Sequence, residues 1–568
     1  MTPADGLLWD DWRAQWEQEP TATAVVHWTM SGGSREFTRH ELVAAAWGYA
    51  RRLVAAGVRP GEVCALVLRN RPEFYPLYLG VSLAGAIPAV LAYPNPRLHP
   101  DKFRQGLEGM AACSGLDLLL TERDLEPVVR PLVEGGASSV RGLLFPVEWG
   151  SDAADFDAAD FDRMFRQLKA TATPDDPCLL QHSSGTTGLQ KGVVLSHRTV
   201  REHLRAYGGV LGVGAGDKVA SWLPLYHDMG LIAAFHLPLH FGLPLVQLDP
   251  FEWVSAPVLL LEAVSRYRAT LAWLPNFAYH LLAERPNDED LEGVRLDSLR
   301  AVVNCSEPVR AEAHEKLTAR LGPYGLNPNC LTACYAMAET TFAVTQTPVG
   351  RPARVLDADQ AELGRGRYRP AAGGPARRCV SSGVPIPGTE VRVVGPDGES
   401  LPDGRVGELV IASAAMFDGY RNNPLKTAEV LRDGWYRSGD LGFLHDGECF
   451  VIGRQKDVII VAGKNLYPED VESAVGQVPG VVPGRVVAYG RENPDTGTED
   501  VCVIAETHET DPARLRALGV AVKTAGMGIG VSVARVALVP HRWLFKSSSG
   551  KPSRKANQER LADDRWVA

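Results

Sequence analysis

The sequence predicts an α/β protein with a large layered N-terminal domain, a β-rich subdomain late within it, and a small α+β domain at the C-terminal end. Three observations predict this. Helical and strand-like segments alternate over residues 1–150, and again from Pro177 to about Val344. Strand-like segments then follow one another, "TEVRVVG", "GELVIAS" and "CFVIGR". Beyond them lies a shorter unit with its own helices and strands.

In chain order, "RHELVAAAWGYARRLVAAGV" has apolar residues at helical spacing and stops at Gly57. "EVCALVL" and "DLLLTE" read as short buried strands. "YPLYLGVSLAGAIPAVLAY" is the longest apolar stretch, but glycine and proline interrupt it. It reads as a buried helix leading into a strand, because a membrane span needs ~20 cleaner residues. "SDAADFDAADFDRMF" (151–165) is acidic and of low complexity, and reads as a surface linker or a loosely packed, solvated helix. Residues 350–379 are rich in Gly, Pro, Ala and Arg, and read as an inserted loop outside the core. In the C-terminal unit a helix starts near Tyr467-Pro468, and strands follow at "GRVVAYG" and "DVCVIAE". A second helix is capped at Thr510 or Asp511 with Pro512 in its first turn, and "VSVARVALV" closes the unit as a strand.

Composition narrows the class. The chain has 568 residues, 45% hydrophobic and 22% charged, with a net charge of −9. Nothing in that balance points to nucleic acid, whose binders carry a basic stripe. The acidic start "MTPADGLLWDDW" lacks the basic and apolar regions of a signal peptide. Nine cysteines are scattered without a C-x-x-C pair, so reduced thiols in a cytoplasmic protein are expected, and no zinc site.

"QHSSGTTGLQKGVVLSH" (181–197) concentrates phosphate-binding residues. It departs from the Walker loop: Gln190 precedes Lys191, Gly192 follows it, and a strand rather than a helix comes next. The donors on offer are the hydroxyls of Ser183, Ser184, Thr186 and Thr187, and backbone N–H groups exposed by Gly185 and Gly188. Such a loop suits a β/γ-phosphate tail. Read alone, the same composition also fits a Ser/Gly-rich turn that binds nothing.

Later stretches choose between these. "SSGTTGLQKGV" resembles the signature loop of the adenylate-forming superfamily, which includes acyl-CoA synthetases, peptide-synthetase adenylation domains and luciferases. "YAMAETTFAV" (335–344), "YRSGDLGFL" (436–444), "GRQKDVIIVAGKNLYPEDVE" (453–472) and "KSSSGK" (546–551) resemble that family's further motifs, in the family's order. The resemblance implies a domain of residues 1–455 that binds ATP and an acid, and a mobile domain of residues 456–568. It implies attack of a carboxylate oxygen on the α-phosphorus of ATP, with pyrophosphate leaving. Two anions must meet, so positive charge and preorganised donors are needed.

By the same resemblance, Ser183, Ser184, Gly185, Thr186, Thr187, Gly188 and Lys191 hold phosphates, while Tyr335, Ala336 and Met337 form the adenine site. Glu339 holds Mg²⁺, Asp440 accepts from the ribose hydroxyls, and Arg454 reaches ribose or phosphate. Lys551 bridges the carboxylate and the α-phosphate. Lys456 stands at the hinge. His227, in "SWLPLYHDMGLI", borders the reacting carboxylate without acting as a base, since that carboxylate is already ionised. Two positions depart from the family pattern: Gln190 replaces a proline, and Phe545 stands where a proline usually precedes the first lysine of the tail.

"SWLPLYHDMGLI" and "GKNLYPEDVE" are most similar to the fatty acyl-AMP ligase branch, and residues 350–379 fall where that branch carries an insertion. There the insertion is thought to obstruct CoA, so that an acyl carrier protein receives the acyl group. A tolerated surface loop is the alternative. Arg365, Arg367 and Arg369 are either a site for an acidic carrier or a solvated run. The acyl pocket is expected around Trp273, Leu274, Asn276 and Phe277. Trp273 either lines the tunnel, favouring a shorter or bulky, even polycyclic, acid, or faces the core. The rival functions are a CoA ligase, an adenylating enzyme serving a separate partner enzyme, and a degenerate nucleotide-binding regulator.

Overall fold

A computed structural model describes residues 6–30, 33–94, 100–134, 139–150, 155–182, 190–461, 464–493, 498–546 and 552–561. Two large sheets build the N-terminal domain. The seven-stranded one runs in the order Gly419–Tyr420, Gly192–Ser196, Pro177–His182, Ile87–Val90, Val63–Val67, Leu118–Thr121, Gly142–Leu144. Its central strands pair in parallel, and Val63–Val67 is buried at every position. That is why "VCALV" is continuously apolar rather than alternating: helices cover both faces of a parallel sheet. The nine-stranded sheet runs from Val384–Pro385 through Ala343–Gln346, Leu331–Ala336, Ala301–Asn304 and Leu271–Leu274 to Gly33–Thr38 at its far edge. The expected helix-to-strand passage is Phe74–Leu83 followed by Ile87–Val90. No helix among the described residues is long and apolar enough to cross a membrane.

A five-stranded sheet follows, with Thr389–Val394, Gly407–Ser413, Trp435–His445 and Glu448–Arg454 antiparallel in succession. The smaller C-terminal domain is a three-stranded sheet of Val481–Asn493, Thr498–Thr507 and Val533–Pro540. Pro468–Gly476 and Pro512–Gly528 are its helices, and Asp511 caps the latter through Arg514 N.

Two expectations are corrected. The acidic stretch leads into a helix, as the second of its two readings had it, but a tightly packed helix and not a loose, solvated one. Residues 151–154 lie outside the described residues, but Asp157 caps the Ala158–Thr171 helix, and Phe161, Met164, Phe165 and Leu168 are buried in the main core. The acids occupy the cap and outer face, while the apolar residues recur at i, i+3, i+4 and i+7; composition masked that period. Residues 350–379 are likewise not a loose loop. Val355–Asp359 and Ala376–Val380 pair antiparallel around the short Gln360–Gly364 helix. Ala358, Leu363 and Cys379 share a small core with Phe443, Phe450, Ile452 and Tyr467. Both Arg365 and Arg367 turn back onto Glu362, which draws them away from an outside partner.

The nine cysteines are free thiols, eight of them buried. Several buried histidines are uncharged by construction. His197 Nδ1 accepts from Leu8 N (3.2 Å) and His203 Nε2 from Ala343 N (3.3 Å), which only a neutral ring can do. His27, His182 and His236 meet Tyr75, Ser114 and Tyr78 at 2.8–2.9 Å. Burial lowers all five, His27, His182 and His197 to about 4 and His203 and His236 to about 3. The unfolded chain therefore takes up protons first as pH falls below the ordinary histidine value near 6.5. Their stability contribution is present above about 6.5 and is lost below it, down to about 4 for His27, His182 and His197 and to about 3 for His203 and His236, by up to about 1.4 kcal/mol per pH unit for each ring. Urea unfolding at pH 7 and pH 5 is expected to give a clearly lower midpoint at pH 5.

Candidate active site

Three sheets bring the motif residues together. Pro177–His182 and Gly192–Ser196 pair antiparallel with His182 opposite Gly192, so the phosphate-loop segment joins strand to strand. Ser183, Ser184, Gly185, Thr186, Thr187 and Gly188 lie outside the described residues. Lys191, just beyond them, places Nζ 4.7 Å from the centre of the Tyr420 ring. Burial lowers its pKa, and nearby Lys426 adds to the effect. Such an ammonium gains from an incoming anion.

Tyr335 and Ala336 end the Leu331–Ala336 strand, and Met337 N donates to Phe342 O (2.8 Å) across the following turn. Within that turn Thr341 is fully buried with φ +66°, a conformation that costs a β-branched residue of order 1–3 kcal/mol. Its hydroxyl bonds Ala415 O (3.1 Å), and Phe417 N bonds Glu339 O (2.8 Å). The turn is thereby fixed with the Glu339 side chain buried beside Tyr420, whose hydroxyl donates to Glu339 Oε1 (2.7 Å). Among the described residues no hydrogen bond engages Glu339 Oε2, which suits it to another ligand. Tyr420 and Tyr436, 3.4 Å apart at their hydroxyls, were not anticipated. "GYRNN" has no spacing relation to Glu339; the Gly419–Tyr420 strand reaches it by pairing with Gly192–Ser196.

Asp440 and Arg454 are register partners on neighbouring strands. Arg454 Nε donates to Asp440 Oδ1 (2.9 Å), and the Tyr335 hydroxyl donates to Asp440 Oδ2 (2.7 Å). The Asp440 carboxylate holds Arg454 above the usual guanidinium range, and burial, then Asp440, pushes the Tyr335 phenol up. Each carboxylate oxygen keeps a second lone-pair direction for a hydroxyl. Lys456, in the turn Gln455–Asp457, is lowered by burial and by Arg454. Lys191, Arg454 and Lys456 thus surround two carboxylates with positive charge, an arrangement suited to a polyphosphate.

His227 Nδ1 lies 2.7 Å from Asp228 Oδ1, the same oxygen that accepts Met229 N at the start of a π-helix, Met229–His236. Wide helical turns of this kind concentrate at functional sites. Gly230 is required there: a Cβ would stand 2.2 Å from Pro224 O. Gln181 Nε2 bonds Tyr226 O (3.1 Å), tying this segment to the strand that precedes the phosphate loop.

Of the expected pocket residues, Trp273 and Leu274 lie on a fully buried strand. The Trp273 indole N–H donates to Tyr207 OH (2.8 Å), which donates to Gln346 Oε1 (3.0 Å). Trp273 is therefore enclosed in the core of this conformation. Asn276 and Phe277 open the next helix. Asn276 Oδ1 accepts from Arg310 N (3.0 Å), and Phe277 N donates to Glu307 Oε2 (3.0 Å). Phe277 is half-buried with its ring edge toward Trp222 and Trp253.

Lys551 lies outside the described residues, but the base of its loop is fixed. Lys546 and Pro552 bridge across it, and buried Asn557 bonds both N and O of Phe545 (2.7 and 2.9 Å). Asn557 was not anticipated either. Lys546 is lowered to about 8, by burial first and then by Arg485. Arg310 and Arg377 reach across to the small domain: Arg310 pairs with Asp470 (3.2 Å) and Glu469 O (2.9 Å), and Arg377 with Asp470 (3.1 Å), while also bonding Ile452 O of its own domain (2.7 Å). Within the small domain Arg554 pairs with Asp457, Glu469 and Glu472 (2.7–2.9 Å).

Fold and motif placement define an adenylate-forming type of α/β enzyme. The AMP-binding enzyme family matches residues 12–421, and the chain belongs to that family. A Caulobacter vibrioides protein provisionally named an acyl-CoA synthetase is 31% identical over 520 residues, 90% of this chain and 88% of that one. Long-chain-fatty-acid–AMP ligase FadD26 of Mycobacterium marinum is 29% identical over 583 residues, 97% of this chain and 96% of that one. A solved chain from work on fatty acyl-adenylate ligases of E. coli and L. pneumophila superposes with a TM-score of 0.88 at 25% identity, covering 99% of this chain and 98% of that one.

Proposed function

We propose that the protein activates a carboxylic acid, fatty or bulky and apolar, to its acyl-AMP with release of pyrophosphate, and passes the acyl group to a thiol acceptor, an acyl carrier protein. The observation that carries the first half is the joining of Asp440, Tyr335 and Arg454 with Glu339, Tyr420 and Lys191 beside the phosphate loop. The likeness to FadD26 supports the same reading.

Tyr335 presents its ring to adenine, with Ala336 and Met337 shaping the slot. Asp440 accepts from the ribose hydroxyls on the lone pairs that Tyr335 and Arg454 leave. Ser183, Ser184, Thr186 and Thr187 donate to the β- and γ-phosphates, with Gly185 and Gly188 opening the backbone, while Lys191 and Arg454 offset the charge. Glu339 fits Mg²⁺, since one buried carboxylate with a spare oxygen is the usual protein share of that ion's shell. The ion supplies charge neutralisation on the phosphates. His227 borders the acid's carboxylate, held by Asp228. One carboxylate oxygen then bonds to the α-phosphorus, and the bond to the β-phosphate oxygen breaks. Lys551 bridges the two reacting groups as charge develops.

The domain boundary is assigned to the turn Gln455–Asp457, with Lys456 as the hinge about which residues 456–568 swing. The acceptor is assigned from residues 350–379. They form a packed unit whose Arg377 grips Asp470 of the small domain, and whose Gln360 Nε2 bonds Ile529 O (2.8 Å). A unit so placed restrains the small domain, which supports the reading that it obstructs free CoA. For the acid, Trp273 faces the core, bonded to Tyr207, so it gives no ground for preferring a short or bulky chain over a long one.

The test is a screen of acids with ATP and Mg²⁺, offering either CoA or holo acyl carrier protein and weighing the products. Acyl-carrier product with little acyl-CoA is expected. Abundant acyl-CoA would overturn the acceptor assignment, and absence of AMP from every acid would overturn adenylation.

A further inference from the structure

The Pro512–Gly528 helix presents two unlike faces. Leu518, Gly519, Val522 and Gly526 are buried, and a Cβ at Gly526 would stand 2.6 Å from Val533 Cγ2 of the sheet beneath. Off that buried stripe Arg516, Val520, Lys523 and Met527 fall at i, i+4, i+7 and i+11, one line along the helix, with Lys523 half-buried and the other three exposed. Val520 is 62% exposed and Met527 71%, two of the largest apolar exposures in the small domain. The helix contains Arg514, Arg516 and Lys523 and no acidic residue, in a chain of net charge −9. Arg514 is 78% exposed and reaches Glu509 only at 3.6 Å. Alternating basic and apolar residues in one largely exposed line is a pattern of recognition, where apolar contacts give area and charge gives orientation.

We propose that this face docks the acyl carrier protein that receives the acyl group, through an acidic helix bearing apolar side chains at matching spacing. The proposal rests on the carrier-protein reading above. Charge selects the occupant. A second copy of this chain would set three cations against three, whereas an acidic helix complements them. Position agrees. Ile529, just past the helix, is bonded by Gln360 of the 355–380 unit, whose Arg377 reaches Ile452, two residues from Arg454. A carrier seated here therefore lies beside the end of the helix that the 355–380 unit holds.

The experiment uses the full chain and acidic holo acyl carrier proteins, with two double variants, Val520→Glu with Met527→Glu and Arg516→Glu with Lys523→Glu. Pyrophosphate release from acid and ATP, measured without acceptor, is expected to stay within about twofold of the parent, because these side chains touch no substrate. The carrier concentration at half-maximal transfer is expected to rise about tenfold or more in both variants, and in the parent at high salt. Unchanged carrier saturation in both variants would overturn the docking face while leaving carrier transfer intact. A parent dimer that Val520→Glu with Met527→Glu dissociates would overturn it in favour of a second copy. A parent that loads CoA and no carrier would instead remove the reading beneath it.

Discussion

Replacing Asp440 by alanine is expected to raise the dissociation constant for ATP by about 10²-fold or more, the largest loss of nucleotide binding that a single described residue can give. Two effects add. The ribose hydroxyls lose a charged acceptor, and hydrogen bonds to charged groups are worth about 1.5–3 kcal/mol each. The buried Tyr335 hydroxyl and the Arg454 guanidinium also lose the carboxylate that both contact, at 2.7 and 2.9 Å. Tyr335 and Arg454 then no longer hold one arrangement across the two strands. Asp440→Asn keeps the shape but must turn an amide N–H toward one of two donors, so an intermediate loss is expected. Calorimetric titration with ATP measures both. Affinity preserved in Asp440→Ala would show that the carboxylate neither reads the ribose nor holds Tyr335 and Arg454 for ATP.

Lys551→Ala is expected to slow adenylate formation by about 10²–10³-fold, the usual cost of removing one preorganised charge from a developing anion. ATP binding should hold, because Asp440, Tyr335 and the phosphate loop are untouched. Preformed acyl-adenylate should still be passed to the acceptor at near the parent rate, since the charge is needed only while the α-phosphorus is attacked. Lys551→Arg keeps the charge but replaces a compact ammonium with a planar fork, so partial recovery is expected. Acid-dependent exchange of labelled pyrophosphate into ATP reads the first step alone. Normal exchange in Lys551→Ala would remove this lysine from the reaction.

The sequence showed local periodicity and contiguous motifs well. "EVCALVL", the strands on either side of residues 183–189, and the helix begun by Asp511-Pro512 all stand as read. It failed where composition concealed a period. Phe161 and Leu168 were hidden among aspartates, and the two strands of the 355–380 unit among Gly, Pro and Arg. Its site residues were those within motifs. Tyr420, Glu307 and Asn557 lie outside those motifs and escaped, and Tyr436, though it opens "YRSGDLGFL", was not singled out because its hydroxyl meets Tyr420 only through the fold. The arginines of the insertion drew attention by their number, yet two of them spend their charge on Glu362.

What the sequence by itself determined was the order of layers, the family to which the chain belongs, and the chemical types at the nucleotide site. These depend on short-range spacing and on residues that must sit side by side in one loop. Tertiary structure alone decided which carboxylate oxygen meets which donor, that Trp273 is closed off by Tyr207 and Gln346, and that the inserted unit grips the small domain through Arg377 and Gln360. Each is a contact between residues far apart in the chain. Its geometry is fixed by strand register and by the packing of whole layers, which no local pattern encodes.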